Sequence, residues 1–328
     1  MRTRCFVRKR IINPKYFDFF SVSMQNLAPI ALFVYNRPEH TRRTLSYLQK
    51  NLLADESRLF VFSDGPKSEA DKIKVEQVRQ LVKEASGFKS VKIEERKENL
   101  GLANSIIAGV TKLVNEYDKV IVFEDDLLSS PYTLQYFNES LNRYANEEKV
   151  MHVGAYMYNL PNRKLPQTFF YRAATSWGWA TWARAWKDFE PDVDKLINRF
   201  DKQKIHQFSI EGNMNFWKQI EQFKAGKNNS WAIRWYASIF LKNGLTLNPS
   251  HSLVHNIGHD GSGVHSNNEK TYQVQIARKP VTEFPAEIKE NALAYSAIKQ
   301  FLSKRKGNFI QRGIRFMKQL QAKYFVKK

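Results

Sequence analysis

The stretch VIVFEDD at residues 120–126 decides how the chain is interpreted, because an apolar, β-forming run passes directly into three acids. A short apolar run bounded by polar residues is typical of a buried strand in a parallel sheet. Adjacent carboxylates repel one another unless a cation or a solvated loop relieves them. Two interpretations stay open: a divalent metal held by the acids, or acids at a solvated helix N-terminus, where the helix dipole favours them.

Three earlier apolar runs predict strands at residues 30–35, 59–63 and 91–94, with the fourth at 120–124. Between these strands, apolar residues recur at helical spacing. They are Leu45, Leu48 and Leu52, then Val75, Val78 and Val82, and then Ile106, Val110, Leu113 and Val114. Alternating strands and helices predict an α/β fold with a Rossmann-like, mostly parallel sheet flanked by helices.

Polar residues follow each predicted strand. Ligands of open parallel sheets bind beyond the carboxyl ends of the strands, so Arg37, Asp64 and Asn99 are expected to face one cleft with the three acids. There Arg37 can pair with a phosphate, and Asp64 can accept hydrogen bonds from a base or ribose. The alternatives are a solvated Arg37 and a simple turn at residues 63–66 (SDGP). Neither a dinucleotide-binding glycine motif nor a P-loop follows a strand, which excludes those two nucleotide sites.

Composition narrows the class of protein. With 328 residues, 42% of them hydrophobic, the chain can bury a large core. Its single cysteine, Cys5, excludes an internal disulfide framework and a cysteine-based zinc site, and it fits a reducing compartment. No apolar run approaches the roughly 20 residues that a membrane-spanning helix needs.

The formal charge of +20 is concentrated at the two ends of the chain. Residues 1–24 carry +5 and residues 304–328 carry +9, which leaves +6 for the long central part. This distribution argues against a nucleic-acid-binding surface on the central part. We expect residues 1–23 to be dispensable, with Met24 as the start of the protein; the alternative is that they form an ordered cap.

All seven tryptophans fall between residues 177 and 235, so the second half of the chain packs differently from the first. Trp179, Trp182 and Trp186 have the spacing of one helical face, and core packing is the favoured interpretation for them. Trp177 precedes this predicted helix and is the better candidate for stacking on a sugar ring. The confinement of tryptophan to this half suggests that it shapes the acceptor side.

Four of the seven histidines, His251, His255, His259 and His265, lie in one glycine-rich segment. Their spacing permits a zinc site, but Pro249 and three glycines interrupt the helix that would align them. A single ligand from His265 to a metal is the favoured interpretation.

Five motifs together resemble the bacterial GT-A glycosyltransferases of the family-two type and, more distantly, the N-acetylglucosaminyltransferase I family. They are FVYNRP at 33–38, FSDG at 62–65, ENLG at 98–101, FEDD at 123–126 and SWGWATW at 176–182. The similarity covers roughly residues 28 to 270. Together with the charge distribution, it predicts a basic N-terminal extension at 1–27, a nucleotide-sugar-binding half of the GT-A domain at 28–150, a tryptophan-rich acceptor-side half at 151–275, and a C-terminal helical region with a basic membrane-surface tail at 276–328.

The resemblance also implies roles for individual residues. Asp64 would contact the nucleotide base or ribose, Asp125 the ribose or donor sugar, and Asp126 a Mn²⁺ or Mg²⁺ ion that bridges the donor diphosphate. The remaining candidates are Glu124 and His265 for the metal, and Arg37, Asn99, Trp177 and Arg234 for the donor, Arg234 because a guanidinium matches paired phosphate oxygens.

The catalytic base departs from the family pattern. Related sequences usually place an Asp after the tryptophan equivalent to Trp231, and this chain has Ala232 there. Asp260, Glu211 and His259 are therefore the candidate bases for the acceptor hydroxyl. Asp260 is favoured, because it lies in a glycine-flanked loop able to close over a bound donor.

These features predict a metal-dependent glycosyltransferase of the hexosyl or N-acetylhexosaminyl type. Its donor would be a nucleotide sugar, a UDP-sugar above all, and its acceptor a cell-surface or lipid-linked glycan in polysaccharide biosynthesis. It would act at the cytoplasmic face of the cell membrane as a peripheral protein without a nucleic-acid partner. The alternatives are a sugar nucleotidyltransferase, which also needs a carboxylate-bound metal, and a non-enzymatic basic protein that binds membranes or nucleic acid.

The tail at residues 304–328 is predicted to be a membrane-surface helix, because apolar residues alternate there with nine bases and no acid. Each base near an anionic leaflet contributes about 1 kcal/mol. We expect the protein to co-sediment with anionic vesicles, to dissociate as salt is raised, and to lose binding when residues 304–328 are deleted. Equal binding to neutral vesicles would refute the electrostatic part and favour the alternative, in which the apolar residues dock onto the domain.

Overall fold

The computed structural model describes residues 26–160, 164–259 and 270–305. The basic N-terminal extension, Asp260, His265 and the tail beyond Arg305 lie outside the described residues. What the sequence predicts for them therefore stays a prediction.

Ten strands are present in the described part of the chain. They are β1 (Ile30–Val34), β2 (Arg58–Ser63), β3 (Ser90–Glu95), β4 (Lys119–Glu124), β5 (Leu127–Ser129), β6 (Val150–Gly154), β7 (Thr168–Tyr171), β8 (Trp179–Trp182), β9 (Leu245–Pro249) and β10 (Val254–Asn256). Eight of them form one sheet in the order β3-β2-β1-β4-β8-β6-β9-β7, and β5 and β10 form a separate antiparallel pair.

Strand direction sets where a site can form. Strands β1 to β4 run parallel to one another, and β8 runs antiparallel to both β4 and β6. As β9 is parallel to β6, six of the eight strands share one direction and end at one edge of the sheet. Only β7 and β8 run the opposite way. The predicted α/β fold with a mostly parallel sheet is confirmed.

Helices cover both faces of this sheet. They are α1 (Pro38–Leu48), α2 (Glu69–Lys83), α3 (Leu102–Tyr117), α4 (Thr133–Arg143), α5 (Ala183–Trp186), α6 (Val193–Ile197), α7 (Lys202–Phe208), α8 (Trp217–Lys224), α9 (Trp231–Leu241) and α10 (Ala292–Arg305). One core layer holds α1, α2 and α4, and a second holds α3, α5 and α9. A third core cluster joins the later helices to β7.

The alternation of β1 shows how the sequence separates the layers. Ile30, Leu32 and Val34 pack in the first core cluster, whereas Ala31 and Phe33 pack in the second. Successive side chains of a strand point to opposite faces, so a fully apolar strand supplies both layers at once.

Two local predictions were wrong. The first helix ends at Leu48, and Leu52 is 49% exposed, because the chain turns after Gln49 and Leu53 adopts a left-handed φ of 70°. The second concerns the tryptophans.

Trp179 and Trp182 begin and end strand β8 and do not share a helical face with Trp186, which lies in α5. An offset of three residues in a strand puts two side chains on opposite faces. Trp179 accordingly packs in the second core cluster and Trp182 in the first. All three are at most 5% exposed, so the prediction that they are core residues is confirmed.

Helix α10 is held against the rest of the chain by apolar and charged contacts. Tyr295, Ile298 and Leu302 are buried in the third core cluster. The nearby Arg172 pairs with Glu290 at 2.6 Å, just before the helix begins. None of the helices in the described part of the chain is long and apolar enough to cross a membrane.

Gly109 permits the close approach of α3 to the sheet. A Cβ at this position would lie 2.7 Å from Cζ of Phe33, whose ring stacks on Phe62 with centroids 5.0 Å apart. Alanine normally favours a helix by about 1 kcal/mol over glycine, but overpacking costs about 1–3 kcal/mol. We therefore expect Gly109→Ala to lower Tm in thermal unfolding.

The matched control is Asn115→Ala, which changes an exposed position of the same helix. We expect its Tm to equal or slightly exceed that of the parent. A Gly109→Ala protein as stable as the Asn115→Ala protein would contradict this account of the packing.

Candidate active site

Glu124, the last residue of β4, and the two aspartates after it lie near an arginine that follows the neighbouring strand β1. Arg37 follows β1, which pairs with β4 in parallel register, Phe33 opposite Glu124. Its Nη2 donates to Oδ1 of Asp125 and, at 3.1 Å, to Oδ2 of Asp126. The structure thus supplies, from the chain itself, a cation that relieves the repulsion between the acids.

Burial and charge act together on these groups. Burial raises the pKa of Glu124, and the charges of Asp126 and Asp125 raise it further against the opposing effect of Arg37. Burial also raises the pKa of Asp125, although Arg37 works against it. Burial alone would lower the pKa of Arg37, but the two aspartates raise it above its ordinary value. Arg37 is therefore a permanent cation, whereas Glu124 and Asp125 gain protons more readily than an ordinary carboxylate does.

Two further side chains fix the backbone and carboxylate of the acids. Thr44, buried on α1, donates from Oγ1 to the Asp125 carbonyl oxygen at 2.8 Å. Asn256, at the end of β10, donates from Nδ2 to Oδ1 of Asp126 at 3.3 Å. Sequence reasoning missed both residues. Asn256 lies at the start of the glycine-flanked loop that contains Asp260, so the sequence contained a signal for it, whereas nothing distinguishes Thr44 from other helix residues.

The backbone of Gly258 lies directly against the ion cluster. A Cβ on Gly258 would overlap Oδ2 of Asp126 and would lie 3.1 Å from Nη1 of Arg37. The Gly258 amide donates to Oδ1 of Asn256 at 2.8 Å, which fixes this approach. The segment after β10 therefore covers the acids, and any side chain at residue 258 would displace them.

The carboxylate of Asp64 accepts hydrogen bonds from the backbone of the chain itself. Its Oδ1 accepts from the amides of Gly65 at 3.0 Å and Leu100 at 2.9 Å, and its Oδ2 accepts from Gly101 at 2.9 Å. Asp64 is 5% exposed and lies at the N-terminus of α3, where the helix dipole favours an anion. Its main effect is to join the loop after β2 to the loop after β3.

Asn99 and Gly65 complete that junction. The Asn99 Nδ2 donates to the Gly65 carbonyl oxygen at 2.8 Å. A Cβ on Gly65 would lie 2.6 Å from the Glu98 carbonyl oxygen, so glycine is required for the two loops to touch. The SDG and ENLG motifs thus have a structural explanation besides any contact with a ligand.

Aromatic residues form a wall next to the covered acids. Trp177 is half-buried and makes edge contacts with Tyr156 (centroids 4.5 Å apart), His259 (5.1 Å) and Tyr272 (6.0 Å). Nε2 of His259 is buried and has no hydrogen-bond partner among the described residues. His259 directly follows Gly258, so this wall adjoins the ion cluster.

Two predicted site residues are engaged elsewhere. Glu211 accepts from the Tyr295 hydroxyl at 3.0 Å and pairs with Lys299, next to α10. The guanidinium of Arg234 is 4.4 Å from the Phe223 ring, and its donors bond to groups of Ser230, Pro191 and Asn229. Neither side chain bonds to the ion cluster, so the structure gives them no part in the candidate site.

The oxygen donors of the cluster suit a hard divalent cation. The described residues contain no group of three or more histidine, cysteine or acidic side chains able to hold a metal. Mg²⁺ and Mn²⁺, however, bind through one or two carboxylates when substrate phosphates complete the shell. Asp126 keeps lone pairs beyond its bonds to Arg37 and Asn256.

Two cavities in the described part of the chain lie away from the candidate site. One, of about 330 Å³, lies beside Lys119 and Arg184 near the start of β4. The other, of about 230 Å³, lies between α3 and α5 and is lined by Trp186 and Phe189. Neither contains Arg37 or the acids, so charge and geometry rather than cavity size identify the candidate site.

Comparison with known proteins gives only remote likenesses. No protein-family model matches the chain, and no curated protein is significantly similar to it. Among solved structures, a mannosyltransferase from Pyrobaculum calidifontis in complex with GDP-Man and Mn²⁺ is 11% identical, with a TM-score of 0.36 over 66% of this chain and 71% of that one. Residues 1–349 of TarS from S. aureus are 12% identical, with a TM-score of 0.38 over 70% and 60%.

A third structure, from Desulfovibrio desulfuricans G20, is described as that of a nucleotide-diphospho-sugar transferase. It is 13% identical, with a TM-score of 0.31 over 52% of this chain and 68% of that one. Likenesses of this extent do not assign a function to the chain.

The three hydrogen bonds that the Asp64 carboxylate accepts from backbone amides lead to a testable prediction. Asp64→Asn keeps the shape but turns one oxygen into an NH₂ donor, which must face a backbone N–H. A buried donor left without an acceptor costs about 1–3 kcal/mol. We expect Asp64→Asn to lower Tm by several degrees, whereas Asp55→Asn, at an exposed turn, leaves it unchanged. Equal Tm values for the two variants would show that Asp64 is not a structural anchor.

Proposed function

We propose that this chain is a nucleotide-sugar-dependent glycosyltransferase. The observation that carries the proposal is the contact of Arg37 with Asp125 and Asp126 at the carboxyl ends of adjacent parallel strands. Ligands of open α/β sheets bind at this edge, and a cation beside acids suits a donor that carries a diphosphate. The five sequence motifs support the same assignment.

The proposed transfer has one bond-forming and one bond-breaking event. The acceptor hydroxyl oxygen attacks C1 of the donor sugar, the bond from C1 to the diphosphate oxygen breaks, and the nucleoside diphosphate leaves with the electron pair. The hydroxyl proton goes to a base. Arg37, held by the aspartates, keeps donors on its second guanidinium nitrogen for the oxygens of the leaving diphosphate.

Asp126 and Glu124 would hold a Mn²⁺ or Mg²⁺ ion, with His265 as a further candidate ligand. When bound, such an ion stabilises negative charge on the leaving diphosphate as a Lewis acid. Asn256 and Thr44 would keep the acids oriented in both the free and the ligand-bound protein. Asp64 would act mainly by fixing the loop that carries Asn99, which leaves the Asn99 backbone and side chain near the nucleoside.

On the acceptor side, Trp177 offers an apolar ring edge and face for a sugar, as stacking of aromatic rings on sugar rings requires. Nε2 of His259, beside this ring, has no hydrogen-bond partner among the described residues, and Asp260 is the next residue in the sequence. We propose one of these two residues as the base that takes the acceptor proton. The acceptor would be a glycan, lipid-linked or at the cell surface, and the basic tail would bring the domain to an anionic cytoplasmic membrane surface.

A donor screen tests the proposal. The full chain is incubated with UDP-sugars and GDP-sugars, hexosyl and N-acetylhexosaminyl, with a glycan acceptor panel, in the presence and absence of Mn²⁺. Release of nucleoside diphosphate together with a glycosylated product supports transfer. Release of pyrophosphate from a nucleoside triphosphate and a sugar 1-phosphate would instead identify a nucleotidyltransferase.

Asp126 provides the sharpest single-residue prediction. We expect Asp126→Ala to reduce transfer more than about 100-fold, because the loss of metal-borne charge stabilisation costs several kcal/mol. We also expect weaker Mn²⁺-dependent binding of UDP or GDP in calorimetry. The fold should be retained, because Arg37 keeps Asp125 as a partner and the substitution relieves repulsion between neighbouring acids.

The control is Asp194→Ala, which removes an exposed acid that pairs with Lys224 at 2.8 Å. We expect its transfer and nucleotide binding to match the parent. Activity of Asp126→Ala within about tenfold of the parent, or an unchanged response to Mn²⁺, would show that the acidic cluster is structural.

A further inference from the structure

The three residues that follow β10, 257–259, lie directly over the polar groups of the candidate site. We name them the cover segment. Its middle residue, Gly258, is buried, and a Cβ there would overlap Oδ2 of Asp126 and lie 3.1 Å from Nη1 of Arg37. The backbone of the cover segment therefore occupies the space in front of both the carboxylate and the guanidinium.

A diphosphate would need the same space. A phosphate oxygen that accepts a hydrogen bond from a guanidinium lies about 2.7–2.9 Å from the nitrogen. The Cβ position of Gly258, one covalent bond from its Cα, is 3.1 Å from Nη1 of Arg37, so the glycine backbone lies where such an oxygen would have to be. Asp126 is only 9% exposed. With the cover segment in this position, the site is closed to a diphosphate.

Two backbone hydrogen bonds fix the first part of the cover segment. The Ile257 amide donates to the Asp126 carbonyl oxygen at 2.8 Å, and the Gly258 amide donates to Oδ1 of Asn256 at 2.8 Å. Both bonds lie beyond the paired residues of β5 and β10. The cover segment can therefore move away while those two strands stay paired, which is how local opening of a folded protein occurs.

Two ring contacts fix the last residue of the cover segment. The ring of His259 lies 5.1 Å from that of Trp177 and 6.3 Å from that of Tyr272, between centroids. The Tyr272 ring is also 6.0 Å from Trp177. Aromatic contacts of this kind are individually weak, so the closed position depends on several small contributions.

We propose that the cover segment is an autoinhibitory contact, which must leave Asp126 and Arg37 before the diphosphate of a donor can bind. This inference rests on the proposed function. The apparent dissociation constant of a nucleoside diphosphate then equals the intrinsic one divided by the fraction of open molecules. A substitution that loosens the cover segment without changing the acids or Arg37 will therefore tighten nucleotide binding, whereas damage to a fixed wall of the site would weaken it.

Tyr272 provides a substitution of this kind, because its ring packs on His259 and has no part in the proposed binding of the donor. Tyr272→Ala removes the ring, and the carbonyl oxygen of residue 272 can still accept from the Tyr156 hydroxyl, as it does at 3.0 Å. Loss of an aromatic contact changes an equilibrium constant by about 2- to 10-fold. Tyr272→Phe keeps the ring and is the matched control. Tyr272→Leu replaces Tyr272→Ala if the alanine protein does not fold.

Hydrogen exchange of the free protein tests the opening without any ligand. We expect the amides of Ile257 and Gly258 to exchange about 10-fold or more faster than the hydrogen-bonded amides of β5 and β10. Tyr272→Ala should raise their exchange by about 2- to 10-fold, and Tyr272→Phe should leave it unchanged. Exchange of the cover segment and the two strands at one common rate, or no effect of Tyr272→Ala, overturns the proposal.

Calorimetric titration with UDP and with GDP, in the presence of Mn²⁺, tests the link to the donor. We expect Tyr272→Ala to bind the nucleotide more tightly than the parent, by the same factor as its exchange rises, because both quantities follow the open fraction. Faster exchange with equal or weaker nucleotide binding overturns the proposal. If exchange behaves as expected but neither the parent nor any variant binds a nucleotide, the proposed function itself is contradicted.

Discussion

The ion pair of Arg37 with Asp125 and Asp126 is the interaction on which the candidate site depends. Three acids at the end of a buried strand would repel one another, and removal of the partner of a buried charge typically costs about 3–5 kcal/mol. The sheet places β1 directly beside β4, so that Arg37, three residues beyond β1, reaches the two aspartates that follow β4. Pro38 begins α1 immediately after Arg37, which directs the chain away and leaves the guanidinium at the strand end.

The first half of the fold could be predicted well from sequence, because its strands and helices are regular. The four predicted strands agree with β1 to β4 within about one residue at each end. The second half could not, because a spacing of three and four among tryptophans is compatible with a helix and also with a strand followed by a turn. The strand conformation of Trp179 and Trp182 could be predicted only if one knew which faces of this segment are buried. That burial depends on the pairing of β8 with β4 and β6.

The sequence predicted that polar strand ends lie at one edge of the sheet, and the structure brings Arg37 into contact with Asp125 and Asp126 there. The sequence did not predict the hydrogen bonds among these residues. The partner of Arg37 could not be identified, since Asp125 is 88 residues away and a metal explained the acids equally well. The hydrogen bonds from three backbone amides to Asp64 could not be predicted either, because an SDG sequence is compatible both with a ligand contact and with a residue that fixes a loop.

The charges of the cluster bear on how a donor could bind. When all three acids are ionised, they outweigh the single positive charge of Arg37. Because the pKa values of Glu124 and Asp125 are raised, these two groups take up protons more readily and the excess negative charge becomes smaller as pH falls. A diphosphate brings further negative charge to the same place, so Arg37 alone cannot balance both. Either protonation of Glu124 or a bound divalent cation would offset the excess negative charge. The two alternatives predict opposite dependences of donor binding on pH. Protonation favours donor binding as pH falls, whereas a cation must compete with protons for the carboxylates, so its contribution grows as pH rises.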